Sequence, residues 1–169
     1  HHPALDWQPV MTRDRKWIFF ASDRTGRFEI WKMPAGGGDA LQFTRDGGWY
    51  PREAPDGKDI YYTRASLDGP YSVWRQPAAG GNEEMIVDGL FCYSCFDVGV
   101  SSLYFISRGG PPGGRSIQPR DLRTGRTEAI ARVSSLLGYR LAVSPDEKRI
   151  LFERTEVDAP DLRYGEGCR

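Results

Sequence analysis

Short apolar runs alternate with polar gaps rich in glycine and proline along the chain. Trp17 to Ser22, Ile60 to Thr63, Leu103 to Ser107 and Ile150 to Glu153 are dense in aromatic and β-branched residues. Runs this short, bounded by turn residues, predict buried strands. The first, second and fourth are preceded by a segment leading into a turn: Gln8 to Met11, Tyr50 to Glu53 and Arg140 to Val143. Each of the first three is followed by a strand whose polar and apolar positions alternate, as on a half-exposed sheet: Phe28 to Met33, Tyr71 to Gln76 and Ser116 to Leu122. Glycine-rich turns then lead to an outer strand at Ala40 to Thr44, Glu84 to Val87 and Glu128 to Val133. Ile130, Val133 and Leu137 also have helical spacing; the phase of the surrounding pattern assigns that segment to a strand.

The pattern is a repeat. Trp31-Lys32-Met33-Pro34-Ala35-Gly36-Gly37-Gly38 returns 43 positions on as Trp74-Arg75-Gln76-Pro77-Ala78-Ala79-Gly80-Gly81. Ala54-Pro55-Asp56-Gly57-Lys58 returns as Ser144-Pro145-Asp146-Glu147-Lys148, with a degenerate copy at Thr12-Arg13-Asp14-Arg15-Lys16. A repeat of about 40–50 residues made of short strands is the signature of a β-propeller. The expected fold is all-β, with blades of four antiparallel strands and about three and a half blades, a partial or open propeller. Residues 1–169 form one propeller segment, with repeats at about 7–46, 49–88, 93–135 and 138–169. The last repeat stops after its third strand at Asp161 to Tyr164.

The Pro-Asp turns, the Ser22-Asp23-Arg24-Thr25-Gly26-Arg27 hairpin and the Ile30-Trp31-Lys32-Met33-Pro34 strand resemble the WD40-like repeats of TolB-type β-propellers. The resemblance covers nearly the whole chain and fades in the third repeat, where Phe96 to Ser102 lacks the Pro-Asp-Gly turn. It implies four-stranded blades around a central channel, and protein binding or sensing as the common role. Similar repeats lie C-terminal to winged-helix regulators or kinase domains in some bacteria. Complete rings of this type use six or seven blades, so the resemblance implies a C-terminal portion of a longer protein or an open arc, ahead of a four-bladed ring. An arc would expose apolar blade faces prone to self-association.

Composition narrows the chemistry. The chain has 23 basic and 23 acidic residues, hence no basic footprint for nucleic acid. No apolar run is long enough to span a membrane. The only histidines are His1 and His2, which leaves no imidazole inside the fold for serine–histidine chemistry or for a histidine-bound metal. There is no Gly-x-Ser-x-Gly elbow. Cys92-Tyr93-Ser94-Cys95 offers two metal ligands where structural zinc takes four; a disulfide there requires a turn, and Cys168 is remote. Gly36-Gly37-Gly38 joins two strands and has no helix N-terminus to meet a phosphate. Asp14, Asp56 and Asp146 recur in phase, which assigns them to accepting backbone hydrogen bonds within their turns. No catalytic residue, cofactor or metal is expected.

In a propeller the connections into the innermost strands gather at the channel mouth. Those connections carry Trp7, Trp49, Tyr50, Tyr93 and Tyr139, with Phe91 nearby and Arg52 and Arg140 alongside. Aromatic residues and arginine are the residue types that binding hot spots favour. Packing between blades is the competing use of the same large side chains. The expected function is a non-enzymatic interaction or sensory module that binds a protein or peptide. The alternatives are an accessory propeller that gates access to a hydrolase or lyase domain, and carbohydrate binding.

Overall fold

The computed structural model describes residues 3–65, 70–109, 114–133 and 137–154, without the side chains of 137–139 and 154. The expected third strand at 161–164, Cys168, His1, His2 and the loop tips at 66–69 and 110–113 lie outside the described residues, as does the Tyr139 side chain. Among the described residues there is no helix. The first sheet runs β1 (Asp6–Met11), β2 (Trp17–Ser22), β3 (Glu29–Pro34) and β4 (Leu41–Gln42), each hydrogen-bonded to its sequence neighbour. The second runs β5 (Trp49–Glu53), β6 (Asp59–Ala65), β7 (Tyr71–Pro77) and β8 (Glu84–Leu90). The third comprises β9 (Phe96–Val98), β10 (Ser102–Ile106), β11 (Ser116–Asp121) and β12 (Ala131–Arg132). β13 (Leu137–Val143) pairs with β14 (Ile150–Arg154). The sheets are antiparallel meanders, the blade unit of a β-propeller. The Glu128 to Val133 segment is strand only at β12, with Ile130 N–H bonded to the Ile117 carbonyl (3.0 Å).

The chain divides into two compact units, His1–Asp88 and Gly89–Arg169. In the first, Phe19, Ala21, Ile30 and Phe43 of one sheet pack against Ile60 and Tyr62 of the next. Period-2 alternation produces this face: Phe19 and Ala21 share one side of β2, while Phe20 pairs with Trp31 on the other. In the second unit the core is Cys92, Cys95, Tyr104, Ile106, Ile117, Val133 and Leu141.

The Pro-Asp turns behave as their phase predicts. The Asp14, Asp56 and Asp146 carboxylates accept the main-chain amides of Lys16 (3.0 Å), Lys58 (3.1 Å) and Lys148 (3.2 Å). Asp14 titrates below the usual carboxylate range because of the Lys16 amide and the Thr12 hydroxyl. Asp146 is lowered by the Ser144 hydroxyl and the Lys148 amide. The residue after each aspartate is left-handed: Arg15 (φ 58), Gly57 (φ 72) and Glu147 (φ 55). The degenerate third turn closes through Gly99 N–H to the Ser102 carbonyl (2.8 Å). There the Glu147 carboxylate accepts the Ser101 amide (2.7 Å), the Ser101 hydroxyl (2.6 Å) and the Tyr104 hydroxyl (3.2 Å). A Cβ on Gly99 would stand 2.4 Å from Glu147 Oε1, so this clasp uses the space that glycine leaves open.

Candidate functional site

β1 and β5 carry the same irregularity. On β1, Trp7 pairs with Ala21 and Val10 with Phe19, so Gln8 and Pro9 together face one partner residue. On β5, Trp49 pairs with Thr63 and Arg52 with Tyr61, so Tyr50 and Pro51 do the same. Both are β-bulges, and the first residue of each is left-handed: Gln8 (φ 54) and Tyr50 (φ 50). Proline in second place has no N–H to contribute to the broken ladder. Such bulges turn side chains out of the regular alternation, and they occur beside functional sites more often than elsewhere in sheets.

The two bulged strands are stitched together. The Tyr50 amide donates to Gln8 Oε1 (3.0 Å), and the Arg13 amide donates to Glu53 Oε2 (2.8 Å). In the second unit the Val143 amide of β13 likewise donates to Asp97 Oδ2 of β9 (2.9 Å). At the Trp7 end an aromatic cluster forms. Trp49 and Phe28 have ring centroids 3.9 Å apart; Trp7 lies 5.8 Å from Phe28 and meets Trp49 edge-on at 6.2 Å. Trp7 is 45% exposed, while Trp49 is half-buried. The Arg52 guanidinium lies 5.1 Å from the Tyr50 ring centre, a cation–π pair on the bulge itself.

Charged groups frame the cluster. Arg24 donates to both Asp6 oxygens (3.0 and 3.2 Å) and to Ser22 Oγ (3.0 Å), and it covers Phe20 and Trp31. The fully buried Glu29 accepts from Arg27 Nε (2.6 Å), Thr44 Oγ1 (2.6 Å) and the Gly47 amide (2.9 Å). Three donors satisfy a carboxylate that would be costly to bury alone. On the next sheet Arg64 repeats the Arg24 arrangement. It covers Tyr62 and Trp74, pairs with Glu83, and donates to the Gly47 carbonyl (3.2 Å). Burial raises the Tyr62 hydroxyl well above its ordinary pKa, and that hydroxyl donates to Glu83 (2.9 Å). These networks hold the loop before Trp49 in place.

The structure thus places Trp7 against Trp49, and Arg52 over Tyr50, in the first unit. Tyr93, Tyr139 and Arg140 belong to the second. Tyr93 is half-buried on a turn between Cys92 and Cys95, which form a disulfide, and Arg140 is exposed on β13. Two members of the first cluster, Phe28 and Gln8, are absent from the sequence-derived set. The signal for Gln8 is the Gln8-Pro9 and Tyr50-Pro51 pair, recurring one repeat apart. Phe28 carries no comparable mark.

No family model matches the chain. An uncharacterized protein from Agrobacterium fabrum is 31% identical over 62 residues, which are 36% of this chain and 21% of that protein. The chain therefore spans about a fifth of the length of this curated relative. The crystal structure of TolB from Acinetobacter baumannii superposes with a TM-score of 0.74 at 21% identity, over 92% of this chain and 39% of TolB. Oligogalacturonate lyase from Vibrio parahaemolyticus gives 0.70 at 16% identity, over 92% of this chain and 48% of the lyase. The β-propeller domain of the Trilobed protease from Pyrococcus furiosus, described as having an open velcro topology, gives 0.63 at 13% identity, over 95% and 52% of the two chains. At these identities the likeness establishes the fold alone: the chain has the β-propeller fold seen in TolB.

Proposed function

We propose that this chain is a non-enzymatic binding module that takes a protein or peptide on the face formed by its bulged strands. The observation that carries the reading is the double bulge at Gln8-Pro9 and Tyr50-Pro51. Left-handed backbone at non-glycine residues costs of order 1 kcal/mol or more each, and such strain persists where the surroundings over-determine it. Here it accompanies two contacts, Arg52 over the Tyr50 ring and the half-exposed Trp7 against Trp49. Aromatic anchors next to arginine are hot-spot chemistry, and a preorganised strand backbone lowers the ordering cost of binding.

The propeller neighbours include a lyase and a protease domain, so a module that gates access to a catalytic domain is the second reading. In both readings the module acts by shape. Tyr93 and Arg140 are the proposed contributions of the second unit, together with Tyr139. A place within a larger bacterial regulator or kinase belongs to the same proposal.

A displayed peptide library selected on the purified protein tests it. A selected peptide is expected to bind Tyr50→Ala and Arg52→Ala at least tenfold more weakly, about 1.4 kcal/mol each. Leu41→Ala and Met85→Ala, exposed positions on the outer strands, are expected to bind normally. Equal affinity for all four variants would remove the bulged face from the binding site.

A further inference from the structure

Sheet meets sheet in the same phase in both units. In the first, Phe19 and Ala21 of β2 pack against Ile60 and Tyr62 of β6. In the second, Tyr104 and Ile106 of β10 pack with Ile150 and Phe152 of β14. The registers make these positions equivalent. Met11 pairs with Ile18 as Glu53 does with Ile60 and Val143 with Ile150. Val10 pairs with Phe19 as Arg52 does with Tyr61 and Ala142 with Leu151. Strand residues alternate between sides, so every sheet has an Ile18 side and a Phe19 side. In both packed pairs the earlier sheet offers its Phe19 side and the later sheet its Ile18 side.

Two sides remain exposed. The Ile18 side of the first sheet carries Met11, Ile18, Phe20, Trp31 and Met33. Met11 is 52% exposed and Ile18 half-buried, although Ile60, in the phase of Ile18, is fully buried. The Arg24 guanidinium lies on this side, over Phe20 and Trp31. On β13 and β14 the Phe19 side carries Ala142, Leu151 and Glu153. Ala142 is exposed and Leu151 is 51% exposed, whereas Phe19 and Tyr61, in the phase of Leu151, are buried. Apolar sheet sides left in water call for a cover, as the end faces of a repeat array do. The two surfaces match in phase, in their aliphatic side chains, and in charge: Glu153 stands on one and Arg24 on the other.

We propose that a second copy of this chain provides the cover. The Ala142 and Leu151 side of one copy seats on the Met11 and Ile18 side of the next, repeating the packing of Phe19 against Ile60. The contact is heterologous, because two different surfaces meet. It stands apart from the binding reading, since Trp7 pairs with Ala21 and so lies on the other side of β1.

Sedimentation equilibrium of the whole chain across about a hundredfold range of concentration tests this. The average mass is expected to rise with concentration from that of one chain. Met11→Lys and Leu151→Lys place a charge at half-exposed positions, and each is expected to weaken association at least tenfold. Met85→Lys, equally exposed on β8, is expected to associate as the natural chain does. An equal mixture of Met11→Lys and Leu151→Lys separates this contact from one between identical surfaces. Each unlike pair keeps one intact contact, so the mixture is expected to form dimers and to stop there. A mixture no more associated than either variant alone would overturn the proposal. So would a single-chain mass at every concentration of the natural protein, a result that needs no variant.

Discussion

Position 147 shows how much one side chain can decide. Arg15, Gly57 and Glu147 occupy the same left-handed turn position, which glycine adopts without penalty and other residues do not. The Arg15 side chain is exposed and has no hydrogen bond or ion pair among the described residues, so Arg15→Gly, which keeps the main-chain bond to Thr12, is expected to raise stability by about 0.5 kcal/mol in urea unfolding. Glu147→Gly relieves the same strain but removes the clasp on Ser101 and Tyr104, and is expected to cost about 1 kcal/mol. Opposite signs at one turn position separate strain from contact. Burial alone would raise the Glu147 pKa, but the Ser101 hydroxyl and amide and the Tyr104 hydroxyl outweigh it and hold the carboxyl below its ordinary 4.5. A depressed folded value contributes stability that is full above the unfolded value and lost as pH falls through the folded one. The stability difference between the natural chain and Glu147→Gln is therefore expected to be larger at pH 7 than at pH 3. An equal difference at both would remove the charge from the clasp. The turn aspartates were legible because they recur in phase; the clasp was not, because its partners lie 46 residues apart and no local pattern joins them.

At the scale of elements, the strands were readable because burial imposes alternation on them and glycine and proline mark their ends. The bulges were not, since a one-residue insertion leaves apolar periodicity on either side intact. The loop before β5 shows what holds a bulged strand in place. Gly48 sits so close to its neighbours that an added Cβ would stand 2.7 Å from Ile30 Cγ1, 2.9 Å from the Ile30 nitrogen and 2.9 Å from Thr44 Oγ1. Those atoms belong to the network in which Thr44 accepts the Ile30 amide and donates to buried Glu29. Gly48→Ala is expected to cost about 2–3 kcal/mol, because backbone stands in the way and a satisfied buried carboxylate would be disturbed. Thermal unfolding of the variant checks this, and a loss below about 0.5 kcal/mol would mean that the loop does not depend on the close approach. The sequence shows a Gly47-Gly48 pair; the tight packing of its second member appears only in three dimensions.

For the molecule as a whole, the repeat pattern carried the fold and left the site partly hidden. Trp7 and Trp49, one repeat apart, meet in space, and Arg52 lies over the Tyr50 ring two residues away. Gln8, Phe28 and the Cys92–Cys95 bridge depend on register and turn geometry that composition does not encode. The central claim is that strained, bulged strands serve a binding face. Hydrogen exchange of the whole protein, with and without a library-selected peptide, tests it most directly. The account predicts slowed exchange at Asp6 to Met11 and Trp49 to Glu53. Protection confined to the outer strands β4 and β8, with both bulges unchanged, would contradict it.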